Sequence, residues 1–158
     1  MTLETVVALS IGIAASGEDL WRRNISNSIP VAALAGALVV QTVNGGWHGL
    51  GQWFLGAVCG FCVFLIFFLL GGMGGGDVKL MAGFGALLGP ARLGEAALWT
   101  AGIGGIIAMI VVLWREALHF LRRRNSADKA NVQPIDNYIP YAPAITIGSW
   151  LALIPKGV

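Results

Sequence analysis

Six apolar runs separated by short polar connections constrain this chain more than any other feature. They occupy about 3–17, 29–44, 50–70, 78–90, 96–114 and 140–155. A straight bilayer crossing needs roughly 20 apolar residues. Several runs are shorter, and the fourth, brief and rich in Gly and Ala, reads as a span or as a partly buried or re-entrant helix. Only 11% of residues are charged and the mean hydropathy is +0.76, whereas a soluble domain carries roughly 25% charged residues. The expectation is an all-α polytopic membrane protein with about six transmembrane helices, forming a single domain over 1–158. Glu4 is the only charge before Glu18, so no cleaved signal peptide is expected.

Charge then orients the runs. The connections 18–28, 71–77 (with Lys79 just beyond) and 115–139 hold eight of the ten basic residues, among them Arg22, Arg23, Arg115, Arg122, Arg123, Arg124 and Lys129. Arg92 and Lys156 fall on the opposite side. If all six runs cross, the first face is cytoplasmic by the positive-inside rule, and both termini lie outside. Arg122-Arg123-Arg124 reads as a topology anchor touching anionic lipid. The polar stretch 122–138 reads as a mobile cytoplasmic loop.

An ionisable residue at a bilayer edge is a functional candidate by default. Gly74-Gly75-Gly76-Asp77 places a carboxylate after a cluster of five glycines within six residues, where small residues admit a close backbone approach. A second acid, Asp19, ends the first run. Two crossings separate the pair, so both carboxylates fall on the cytoplasmic face although they stand 58 positions apart. Each has a plainer reading: Asp77 as a helix cap, and Asp19 as an interfacial acid paired with Arg22 or Arg23. Glu18 is a neighbouring acid that competes with Asp19 for the role.

Together these residues resemble the type IV prepilin peptidases. Gly74-Gly75-Gly76-Asp77 matches that family's Gly-x-Gly-Asp signature, and Val78-Lys79-Leu80 continues it. Glu18-Asp19-Leu20-Trp21-Arg22-Arg23-Asn24-Ile25-Ser26-Asn27 is similar to the first aspartate motif, with Ser26 where proline is usual. Pro140-Tyr141-Ala142-Pro143-Ala144 resembles the start of the last helix. The likeness spans nearly the whole chain, and its size is similar to the short form that serves Flp-type, tight-adherence pili. It implies an aspartic endopeptidase of the cytoplasmic membrane that cuts prepilin leaders after a glycine on the cytoplasmic side. It implies Asp19 and Asp77 as the catalytic pair, sharing a proton and activating water, with no metal and no cofactor. The larger relatives carry a methylating N-terminal domain with paired Cys-x-x-Cys motifs. This chain is expected to lack it, so proteolysis alone carries over. The implied partners are a prepilin and the lipid bilayer. The identity of the pilin and the oligomeric state are left open.

Around the pair, the glycine loop Gly74, Gly75 and Gly76 supplies backbone access. Lys79 either eases the charge of the pair, binds substrate or snorkels to the interface. Asn27 is a site support or a turn residue. Cys59 and Cys62 read as packing residues, and His48 and His119 have no second metal ligand in view. The six tryptophans fall mostly near run ends, as an aromatic belt does. Gly56-x-x-x-Gly60 and Gly85-x-x-x-Gly89 read as helix-packing notches. No aromatic platform or folded basic domain supports nucleic-acid binding. The competing function is a proton-coupled membrane carrier, which would place acids near the midplane and show repeated halves. An archaeal-type preflagellin peptidase shares the acid pair. A presenilin-type protease would need a Tyr-Asp pair, which the chain lacks.

Overall fold

The computed structural model describes residues 2–22, 25–124 and 141–154. These form four helices, α1 (Leu3–Arg22), α2 (Ser28–Leu69), α3 (Gly75–Arg124) and α4 (Ala142–Leu151), and among the described residues there is no strand. Two stretches, Ser28–Leu69 and Gly75–Trp114, are long and apolar enough to cross a membrane.

Both long helices are broken by glycine. Gly46 (φ 52°, ψ −129°) interrupts α2, and Gly89 (φ 71°, ψ 168°) interrupts α3 just before Pro90. The conformation at Gly89 is open essentially to glycine alone, and Pro90 removes the N–H that would continue the helix. The carbonyls of Ala86 and Leu87 are met instead by Gln41, whose Nε2 donates to them at 3.5 and 2.9 Å. The halves of α2 fold back on each other. Trp53 Nε1 donates to Leu34 O at 2.9 Å, and a methyl group on Gly49 would overlap the backbone of Gln41. Among the described residues the backbone thus has six helical segments, as many as the sequence has apolar runs.

Small residues set the packing. Gly56 and Gly85 meet so closely that a methyl group on either would overlap the other's carbonyl, and Gly60 stands against Met81. This locks the second half of α2 antiparallel to the first half of α3. The expected packing notches are therefore real contacts between these two helices. The run 78–90 is the centre of the bundle: Val78, Leu80, Met81, Phe84, Ala86, Leu87 and Leu88 are all buried. It is rich in Gly and Ala because neighbours crowd it, with Ala33 against Gly83 on another side.

Three boundaries differ from the sequence expectation. The first helix continues past residue 17 to Arg22, carrying Asp19 inside it, because nothing in 18–22 breaks a helix. Residues 122–124, expected in a loop, are the last residues of α3, since the Arg-, Leu- and Ala-rich stretch 115–124 favours helix. The last helix is shorter than 140–155. The rest of the loop expectation (125–138), and Arg23, Lys129, Pro140 and Lys156, lie outside the described residues.

Candidate active site

The buried stripe of α1 is Ala8, Gly12, Ala15 and Asp19. The spacing of four, three and four is that of one helix face. Asp19 therefore occupies the inward position where an apolar side chain would normally stand, and its exposure is 0%. Glu18 lies one position round the helix and stays partly accessible. Its Oε2 accepts Ser26 N–H at 3.0 Å and its Oε1 lies 3.8 Å from Arg22 Nη1. Arg22 thus pairs with Glu18, which leaves Asp19 turned toward the core. There its Oδ2 accepts the backbone N–H of Ala142, the first residue of α4, at 3.3 Å.

The second acid is placed by a helix start. α2 closes with Gly71 (φ 76°), whose N–H donates to Phe68 O while Gly72 N–H donates to Phe67 O, both at 2.9 Å. This is the Schellman closure, which favours glycine at the left-handed position. The chain then turns at once into α3. Gly74 N–H donates to Asp77 Oδ2 and Asp77 N–H donates to Gly74 O, both at 3.1 Å. Asp77 so caps its own helix, with its charge at the favourable end of the dipole. Yet its side chain is also buried, at 1% exposure, and its Oδ1 has no hydrogen-bond partner among the described residues. A cap needs one carboxylate oxygen. The other, buried and unbonded, is costly unless something else uses it.

These two acids come together. Each carboxylate lies within reach of the other's charge, although they reside on separate helices. The glycine loop has a packing role as well as an access role. A methyl group on Gly76 would sit 3.1 Å from Ile25 Cβ, and Gly75 lies in ordinary contact with the ring of Phe68. Lys79 and Asn27 also meet, Lys79 Nζ donating to Asn27 Oδ1 at 2.9 Å, but on the exposed surface where α2 and α3 start. An open recess of about 580 Å³ between α1 and the start of α2 is lined by Glu18, Arg22, Trp21 and Ser28 and includes neither aspartate.

The acids are recessed. Gly60 opposite Met81 and Gly56 opposite Gly85 put Asp77 level with about Phe64, and α2 runs on to Leu69. Gly104 faces the ring of Tyr141, beside the Asp19 contact, and α3 continues through exposed Ile106, Met109, Ile110 and Leu113 to Trp114. That is a further rise of about 15 Å. The ends of α2 and of the apolar stretch through Trp114 therefore reach past the levels of the two carboxylates. Sequence reasoning missed the α4 N-terminus as a partner of Asp19, because a backbone N–H leaves no mark in side-chain identity. The weak signal was Ala142-Pro143, a helix-opening pair.

Comparison with known proteins bears on the same residues. Residues 6–113 match the type IV leader peptidase family. The chain is 31% identical over 154 residues to a prepilin leader peptidase/N-methyltransferase of Bacillus subtilis strain 168, covering 94% of this chain and 54% of that protein. Proteins of the same description from Aeromonas salmonicida strain A449 and Aeromonas hydrophila are each 28% identical over 160 residues, covering 97% of this chain and 49% of theirs. The chain thus spans about half the length of the curated relatives it matches. No solved structure gives a significant match.

Proposed function

The chain belongs to the type IV leader peptidase family, and from that premise we propose that it is a membrane aspartic endopeptidase that removes the leader of a prepilin at the cytoplasmic face. The observation that carries this reading is the convergence of Asp19 and Asp77, two buried acids from separate helices, with one oxygen of Asp77 unbonded among the described residues. A structural cap or a solvated interfacial acid has no need of either the partner or the burial.

In the proposed reaction the pair holds one proton between them. The ionised carboxylate removes a proton from water as the water oxygen attacks the scissile carbonyl carbon. The protonated carboxyl gives its proton to the carbonyl oxygen, forming a gem-diol. Collapse re-forms the carbonyl, breaks the C–N bond and delivers a proton to the leaving amine. The α4 N-terminus bonded to Asp19 and the Gly74 N–H bonded to Asp77 keep the two carboxylates oriented throughout. With both acids at 1% exposure or less, a peptide reaches them only when the helix ends part locally.

The six helical segments are read as six crossings, with Asp19 and Asp77 at the cytoplasmic side and both termini outside. The basic residues Arg22, Lys79 and Arg122 to Arg124 support this orientation. The substrate class is the Flp-type prepilin. The proposal covers leader cleavage and not methyl transfer, since paired acids are the chemistry these residues supply. Lys79 and Asn27, exposed and joined to each other, are read as a surface support that meets substrate before the buried acids do.

The test is co-expression with a candidate prepilin and determination of the pilin's size and N-terminal sequence. Trimming directly after the leader's glycine by the intact chain, and none by Asp19→Ala or Asp77→Ala at equal membrane accumulation, sustains the proposal. Cleavage by either variant removes that acid from the mechanism. No cleavage of any prepilin by the intact chain returns the question to proton-coupled transport.

A further inference from the structure

α4 is short, yet it touches α1 by hydrogen bonds at three successive heights. Ala142 N–H donates to Asp19 Oδ2 at 3.3 Å. Four residues on, Thr146 Oγ1 donates to Gly12 O at 3.4 Å and accepts Ser16 Oγ–H at 3.1 Å. Four residues further, Trp150 Nε1 donates to Ala8 O at 3.0 Å. The α4 positions step by one helical turn toward the C-terminus while the α1 positions step back toward the N-terminus. This is the register of two antiparallel helices joined along one seam.

Two features show that the seam is held tightly. A methyl group on Gly12 would overlap the Thr146 methyl group and sit 2.8 Å from the Trp150 ring, so α1 lies as close to α4 as backbone allows. Across α4, a methyl group on Gly148 would overlap the Thr100 side chain of α3. α4 is thereby wedged between α1 and α3 and has no freedom to slide. A slip of α1 by a single residue would move the Asp19 carboxylate about 1.5 Å along the axis and turn it out of the core.

We propose that Thr146 and Trp150 are positioning residues of the peptidase, acting through the α1–α4 seam to hold Asp19 opposite Asp77. This rests on the reading of Asp19 and Asp77 as the cleaving acids. The lower two rungs fix the register of α1, and the register delivers Asp19 to the α4 N-terminus. Neither residue touches the reacting atoms.

The experiment uses the full chain in membranes with its prepilin, comparing Thr146→Val, Trp150→Phe, the double variant and Thr146→Ser, with Asp19→Asn alongside. Thr146→Val keeps the shape and deletes the hydroxyl that donates to Gly12 O and accepts from Ser16, and Trp150→Phe deletes the indole N–H together with part of the ring. The double variant is expected to lower kcat about tenfold or more with KM unchanged within about twofold, because a misplacement near 1 Å costs rate rather than binding. Thr146→Ser, which keeps the hydroxyl, restores most of it. A second readout is independent of cleavage: disulfide formation between Asp19→Cys and Asp77→Cys, on a background of Cys59→Ala and Cys62→Ala, slows when Thr146→Val and Trp150→Phe are added. Should the double variant not accumulate, the single variants carry both readouts. Native kcat in the seam variants, or lowered kcat with an unchanged crosslinking rate, overturns the proposal. Normal cleavage by Asp19→Asn sinks the functional reading itself, and the catalytic meaning of the seam with it.

Discussion

The two ends of the bundle treat the same kind of group in opposite ways. At the end where α2 turns at Gly46 and α3 breaks at Gly89, polar groups are answered. Glu4 Oε1 accepts from Arg92 Nη1 at 3.1 Å in a partly exposed pair, and Gln41 covers the carbonyls that the break leaves open. At the other end, Asp19 and Asp77 are buried within each other's field, and Asp77 Oδ1 is unbonded among the described residues. Buried polar groups are normally satisfied, and Glu4, Arg92 and the carbonyls beside the Gly89 break follow that rule. The second end departs from it at Asp77 Oδ1, beside a second buried carboxylate. That departure makes the bundle less stable than an apolar equivalent would be, so it points to chemistry rather than architecture.

The largest expected effect comes from abolishing the departure. Asp77→Ala or Asp19→Ala should each reduce leader cleavage by about 10²- to 10⁴-fold, the range of a lost acid or base, read from the fraction of pilin trimmed over time. Both variants should also keep or raise the unfolding temperature in detergent, because each removes a buried, desolvated carboxyl group. The equivalent change at the opposite end, Glu4→Ala, should leave cleavage intact. Equal losses at both ends would erase the contrast.

A second effect tests whether the acids depend on the middle of the bundle. Gly85→Ala and Gly56→Ala place a methyl group against a backbone carbonyl, which cannot rotate away as a side chain can. Each should destabilise by about 1–3 kcal/mol, measured by thermal unfolding in detergent. Gly94→Ala, where nothing lies within 4 Å, should be neutral or slightly stabilising.

Much of this organisation was legible in the sequence, for identifiable reasons. Hydropathy marks helices because lipid-facing and core-facing surfaces are both apolar; the break at Gly46 falls between runs, and that at Gly89 at the very end of the run 78–90. Asp19 and Asp77 stand out because carboxylates are rare in such surroundings. The role of the run 78–90 was obscure, since a Gly- and Ala-rich sequence looks the same whether it is weakly anchored or tightly enclosed. The α4 contact to Asp19 was invisible because its donor is backbone. Motif likeness favours Asp19 over Glu18, and the helix face adds what the sequence leaves out: Asp19 turns inward while Glu18 stays partly accessible. The recess of the acids below Leu69 and Trp114 depends on helix register, which no single run encodes.

Sharpening the comparison at the satisfied end calls for smaller changes. Gln41→Leu removes the donor that meets Leu87 O and Ala86 O beside the Gly89–Pro90 break. Those carbonyls are part-buried, so the loss should be about 1–2 kcal/mol in unfolding free energy, with cleavage kinetics unchanged. A fall in kcat would instead mean that the break is coupled to the acids at the far end of the same helix.

The smallest effect should come from the ion pair. Arg92 is half exposed, at 52%, and Glu4 is at 21%. Solvent screens such a pair, and holding two long side chains together offsets part of the Coulomb gain, so exposed pairs contribute about 0–1 kcal/mol. Arg92→Gln should therefore shift the unfolding temperature only slightly and leave the cleavage rate alone. The shift should shrink further in high salt, since added ions screen what the charge contributes. Glu4→Gln should behave the same way, and the double variant should cost no more than the larger single change, because once one partner is gone the other has nothing left to lose. A large, salt-insensitive loss would show that Glu4 and Arg92 are shielded in the membrane-embedded protein, and the two ends would then differ less in burial than in whether their charges are matched.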